Sequence, residues 1–96
     1  MYQLEWTQYS KEDYEQLDGS QKIFVNKALD RIQLRGMDAG QSLHGNLANC
    51  NKLKNKKMGL RIIFREAQGT IEVIQIVAIG KRDKEKIYKM AEERLS

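Results

Sequence analysis

Residues 52 to 80 read KLKNKKMGLRIIFREAQGTIEVIQIVAIG, a basic stretch followed by two apolar ones. Side chains of an extended chain alternate between faces, so Leu60, Ile62 and Phe64 share one face and Arg61, Ile63 and Arg65 the other. The stretch from Thr70 to Gly80 is apolar on both faces. That pattern suits a strand in the interior of a sheet, covered on at least one side. Gly69 marks a hairpin turn between the two stretches, and LKNKK, residues 53 to 57, reads as a third strand before them. Short connections between successive strands predict antiparallel pairing.

Toward the N-terminus, Tyr2, Leu4 and Trp6 alternate with Gln3 and Glu5, the period of a half-buried strand. Ser10 is the expected N-cap of a short helix ending near Leu17, with Asp13 in the capping-box position and Tyr9 and Tyr14 as a hydrophobic staple. Asp18, Gly19 and Ser20 read as a turn. Ile23, Phe24, Ala28, Leu29 and Ile32 then repeat at helical spacing until Gly36, a C-terminal stop, so the two helices form a hairpin. Residues 36 to 46 hold Gly36, Gly40 and Gly45 among polar residues and read as a loop. At the other end Asp83 is expected to cap a closing helix that buries Ile87, Met90, Ala91 and Leu95. The order β-α-α-β-β-β-α predicts an α+β fold, a small, mainly antiparallel sheet packed by an N-terminal helical hairpin and a C-terminal helix.

With 96 residues the chain supports one domain, 1–96, and one modest core, so function must sit on its surface. No apolar run approaches the length needed to cross a bilayer, and MYQLEWTQYS lacks a signal-peptide core, so the expectation is a cytoplasmic protein without a membrane partner. One cysteine, Cys50, and one histidine, His44, leave no disulfide framework and no zinc constellation. No metal or cofactor is expected. Charge is segregated: residues 1 to 50 carry five Lys/Arg against seven Asp/Glu, and residues 51 to 96 carry twelve against six. Clustered cations suit a polyanion, because counterion release from phosphates rewards them. The plainer reading is a solvated lysine-rich surface.

Lys52 and Lys54 project from the same face of a strand, about 7 Å apart at their backbones. Arg61 lies on the next strand, across a loop containing Lys56, Lys57 and Gly59, so hairpin pairing lets the three converge. Gly80, Lys81 and Arg82 end the last strand. Tyr88 lies one residue past Ile87, about 100° around the helix from the buried stripe, which leaves its hydroxyl able to reach solvent or a ligand. Each residue alone has a plainer explanation: a boundary tyrosine, a surface arginine, a loop histidine at His44. Their combination in one stretch points to a phosphate-binding surface.

CNKLKNKKMGLRIIF, residues 50 to 64, and IVAIGKRDKEKIYKMAEERL, residues 76 to 95, resemble in kind and spacing the segments that carry the active site of RelE-type toxins of the RelE/ParE superfamily. The resemblance runs over essentially the whole chain in the order of its elements. It implies an endoribonuclease that enters the ribosomal A site and cuts messenger RNA, leaving a 2′,3′-cyclic phosphate and a 5′-OH without a metal. It maps the family's functional positions onto Lys52, Lys54, Arg61, Arg82 and Tyr88. Arg61 and Arg82 would stabilise charge on the phosphoryl oxygens. One of Lys52 and Lys54 would act as base toward the 2′-OH while the other supports the transition state, and Tyr88 would orient the nucleophile or stack on a base. Lys56, Lys57, Arg65, Lys81 and Lys84 would supply general attraction for RNA. The implied partners are a RelB-like antitoxin, the ribosome with its mRNA and rRNA, and operator DNA bound by the toxin–antitoxin pair. Leu60 stands where many relatives carry an aromatic residue. Two other readings fit the same fold: a ParE-like inhibitor of DNA gyrase that catalyses nothing, and a non-catalytic RNA-binding module.

Overall fold

A threonine, one turn earlier than the sequence suggests, starts the first helix. The computed structural model describes residues 1–70, 72–81 and 83–96, and for Lys84 the backbone alone. Strand β1, Gln3–Trp6, leads into helix α1, Gln8–Glu15. Thr7 is its N-cap, and Ser10 sits three positions in, where the two residues exchange hydrogen bonds: the Ser10 amide donates to the Thr7 hydroxyl at 3.0 Å and the Thr7 amide to the Ser10 hydroxyl at 3.0 Å. Ser10 therefore completes the cap instead of providing it. Its buried hydroxyl does the work usually done by Glu or Gln in a capping box. Tyr9, exposed, forms no staple.

Helix α2, Gly19–Arg35, starts at Asp18, whose carboxylate accepts from the Gln21 amide at 2.8 Å, and ends at Gly36 as expected. Its buried face is Val25, Ala28, Leu29 and Ile32; Ile23 faces outward. Gly36 has φ +62, and the Tyr2 ring lies where a Cβ would stand, so both backbone and space require glycine there. The expected loop that follows holds two 3₁₀ turns, Gly36–Ala39 and Gly45–Leu47, and a two-residue strand β2, Gln41–Ser42. Strands β3, Cys50–Asn55, β4, Leu60–Glu66, and β5, Val73–Lys81, follow, then a 3₁₀ turn at Asp83–Glu85 and helix α3, Lys86–Leu95. Asp83 does not cap α3. Glu85 stands at that position, in the left-handed region at φ 64 and without a side-chain cap bond.

The five strands form one sheet in the order β1-β5-β4-β3-β2, with β1 parallel to β5 and the other pairs antiparallel. The α+β architecture and the mainly antiparallel sheet are as expected; β2 and the parallel β1 complete it. Alternation sorts β4 between two cores. Leu60, Ile62 and Phe64 join Leu53, Ile74, Ile76 and Ile79 under α2, while Ile63 joins Cys50, Val77 and Ala78 under Ile87 and Ala91 of α3. Because β5 is covered on both faces, it is apolar on both. Ile63 pairs with Ala78 but Phe64 with Ile76, so Val77 is an extra residue, a bulge in β5.

Gly40 lies against this sheet. A Cβ there would stand 2.6 Å from the Lys52 carbonyl oxygen and 2.7 Å from the Phe64 ring. Gly40→Ala must displace β3 backbone or a core ring, so it is expected to lose about 1 to 3 kcal/mol of stability, read by urea denaturation.

Candidate functional site

The strand pairing puts Lys54 opposite Arg61 and Lys52 opposite Ile63, all on the sheet face that α3 covers. Helix α3 reaches only part of that face, and Tyr88 borders the remainder, half-buried, as its angle from Ile87 requires. Two cations meet its oxygen. Arg61 Nε donates to the Tyr88 hydroxyl at 3.0 Å and Lys52 Nζ donates to the same oxygen at 3.2 Å. A phenol oxygen offers two lone pairs, and both are taken; among the described residues its own proton has no acceptor, which leaves it available to a ligand. Lys52 Nζ also lies 5.4 Å from the centre of the Tyr88 ring.

The electrostatics are one-sided. Arg61 is only 6% exposed, and its Nη1 is buried without a hydrogen-bond partner. Among the described residues the ion pairs are Lys86–Asp83 and Arg94–Asp13, so no carboxylate pairs with Lys52, Lys54 or Arg61. Burial alone would push the Tyr88 phenol up. The hydrogen bonds and charges of Lys52 and Arg61 outweigh it and hold the phenol below its ordinary value. A desolvated guanidinium with no counter-charge is costly, and an arriving anion lowers that cost.

Lys54, Lys56 and Lys57 are exposed on the β3–β4 hairpin, and Lys81 is exposed at the end of β5, paired with Leu60. Lys54, Lys56 and Lys57 fringe the Arg61 end of the sheet, whereas Lys81 shares the face of Leu60, away from Arg61, where its charge acts on Asp18. Arg65 stands apart, about 13 Å along β4 from Arg61. Its Nε donates to Gln75 Oε1 at 2.9 Å, and Gln75 donates to Glu5 at 2.7 Å. Arg82 and the Lys84 side chain lie outside the described residues. His44 is exposed ahead of the second 3₁₀ turn.

No family model matches the chain. A protein of Escherichia coli named as a RelE-like toxin is 24% identical over 94 residues, covering 98% of this chain and 97% of that one. The free E. coli toxin RelE carrying two arginine-to-alanine changes superposes with a TM-score of 0.80 at 20% identity, over 99% of this chain and 98% of its own. The chain has the RelE fold. RelE in the intact E. coli RelBE toxin–antitoxin complex superposes with a TM-score of 0.71 at 20% identity, over 84% of this chain and 96% of that one.

Two features beside the site carry no signal in the sequence. On this RelE fold the strand β2 pairs Gln41 with Lys52, so a groove lined by Ala39, Gly40, Gln41, Lys52 and Lys54 flanks the site. Cys50, under α3 and 1% exposed, is a core residue. Burial pushes its thiol up, with the charge of Arg65 opposing in part. Alkylation of Cys50 by iodoacetamide is therefore expected to run at least about a hundredfold slower in the native protein than in urea, followed by mass spectrometry.

Proposed function

We propose that the chain is the toxin of a type II toxin–antitoxin pair, a metal-independent endoribonuclease that cuts messenger RNA in the ribosomal A site. The observation that carries this reading is the meeting of Lys52 and Arg61 on the Tyr88 hydroxyl with no described acid to balance them. Such a cluster suits a phosphodiester, and the whole-length likeness to a RelE-like toxin supplies the biological setting. In the reaction one of Lys52 and Lys54, in its neutral amine form, takes the proton of the 2′-OH adjacent to the scissile bond, and that oxygen attacks phosphorus. The 5′-oxygen of the next nucleotide leaves and takes up a proton from the other lysine, in its ammonium form, giving a 2′,3′-cyclic phosphate and a 5′-OH. Arg61 stabilises charge gathering on the phosphoryl oxygens, and Arg82 shares that role by the resemblance. Tyr88, with a free hydroxyl proton, orients the attacking group.

The acid–base groups of this site are lysines and a tyrosine, which at neutral pH are weaker proton carriers than histidine. Positioning must supply more of the rate, and the ribosome is what holds the message in reactive geometry. Purified protein is expected to cut message bound to programmed ribosomes and to leave the same RNA intact when naked. Equal cutting of both would contradict this reading. The antitoxin partner follows from the likeness to RelE in the RelBE complex: a segment of that partner would cover the basic face, and the pair would bind operator DNA.

A further inference from the structure

We propose that Asp13 and Arg94 form a positioning pair, holding α3 in the register that places the Tyr88 hydroxyl between Lys52 and Arg61. The two residues are distant in sequence and form a forked pair, with Arg94 Nη1 2.6 Å from Asp13 Oδ2 and Nη2 3.1 Å from Oδ1. Both are largely shielded, at 17% and 14% side-chain exposure. The pair also closes a gap in the sheet. Strand β1 pairs with β5 only as far as Ile76, so beyond it one edge of β5 has no strand beside it. There the Ile79 amide donates to Asp13 Oδ2 at 3.1 Å, and Arg94 Nη1 donates to the Val77 carbonyl, at the bulge, at 2.9 Å. Arg94 thus binds helix α1 and sheet together, and the Tyr9 ring lies 5.3 Å from its guanidinium carbon.

This anchor matters because α3 has few others. A helix of ten residues does not hold itself in water, and most of its stability comes from packing. It fully buries Ile87 and Ala91 and packs Met90 and Leu95 only in part against the same core, and its first turn starts from the left-handed Glu85 with no side-chain cap. Tyr88 lies on the turn beside that unsecured start, six residues and about 9 Å along the axis from Arg94. Apolar contacts at Ile87 and Ala91 tolerate small rotations and slides, whereas a fork with a further bond to the sheet does not. Fixing Arg94 therefore fixes where the phenol oxygen falls. A displacement of about 1 Å at a reacting group is enough to lower a rate roughly a hundredfold.

The effect on cleavage rests on the ribonuclease reading; the geometry does not, so both are measured. The protein is labelled with tyrosine enriched in ¹³C at the hydroxyl-bearing carbon, and the Tyr88 resonance is assigned by its loss in Tyr88→Phe. In Arg94→Ala and in Asp13→Asn the Tyr88 resonance is expected to shift and to titrate closer to the ordinary tyrosine value, with Arg94→Lys between them and wild type. Ribosome-dependent cleavage is expected to fall about a hundredfold in kcat for Arg94→Ala, with KM little changed. Asp13→Asn keeps the size of the side chain and an acceptor for the Ile79 amide, so it decides the matter if Arg94→Ala does not fold. A Tyr88 resonance with wild-type position and titration in a folded variant lacking the pair would overturn the inference. A shifted resonance in a protein whose wild type cuts no RNA would uphold the positioning role and count against the ribonuclease reading.

Discussion

Arg61→Met is expected to make the protein more stable and inactive at once. The guanidinium is nearly out of water, with one nitrogen unpartnered and no described carboxylate beside it. Replacing a poorly compensated buried charge by an apolar side chain of similar length usually stabilises, here by about 1 to 2 kcal/mol. In a domain of this size that raises the thermal midpoint by roughly 4 to 16 °C. On the proposed function the same change also removes a donor for developing phosphoryl charge, and ribosome-dependent cleavage should then fall by about 10² to 10³. Calorimetry and a cleavage assay on one preparation test both signs. A less stable variant that still cuts RNA would make Arg61 a structural residue.

Tyr88→Phe has the opposite effect on stability and a similar one on activity. The ring remains, but Arg61 Nε and Lys52 Nζ lose the oxygen they share. Lys52 can turn to water; Arg61 Nε, held under the helix, cannot, and leaving it bare costs about 1 to 3 kcal/mol. On the proposed function this hydroxyl orients the attacking group, so its loss should reduce cleavage by about 10²-fold. The two changes are coupled. In an Arg61→Met background the stability loss of Tyr88→Phe should shrink to a few tenths of a kcal/mol, because the group it stranded is gone. The sign of the pH dependence follows from the lowered phenol. Its ionisation contributes stability that is complete above the ordinary value of about 10 and lost as pH falls through the folded value. Urea melts should therefore show wild type and Tyr88→Phe drawing further apart as pH rises toward about 10.

The legible parts of the fold were those set by local periodicity. Alternation in LRIIFRE sorted Leu60, Ile62 and Phe64 from Arg61 and Ile63, and the structure keeps that division in two separate cores. The angle between Ile87 and Tyr88 left the phenol at the border of the packed face, where it meets Lys52 and Arg61. What escaped depends on contacts far apart in the chain or on choices between similar local signals. Thr7 and Ser10 are both good caps; Thr7 starts the helix because Ser10 can answer it from the third position. Ile23 fits a helical stripe as read by spacing, but Val25 faces the sheet and Ile23 faces water. Strand β2 has two residues and exists through pairing with Asn51 and Lys52. The link from Asp13 to Arg94 joins the two ends of the chain, and no local pattern marks it.

Primer extension on cellular messages after induced expression tests the central claim most directly, because it reads both whether RNA is cut and where. Wild-type protein should produce new 5′ ends at one fixed position within codons of translated frames, and Arg61→Met should produce none. Growth arrest without new ends, or ends scattered without regard to the reading frame, would contradict a ribosome-dependent ribonuclease built on Lys52, Arg61 and Tyr88.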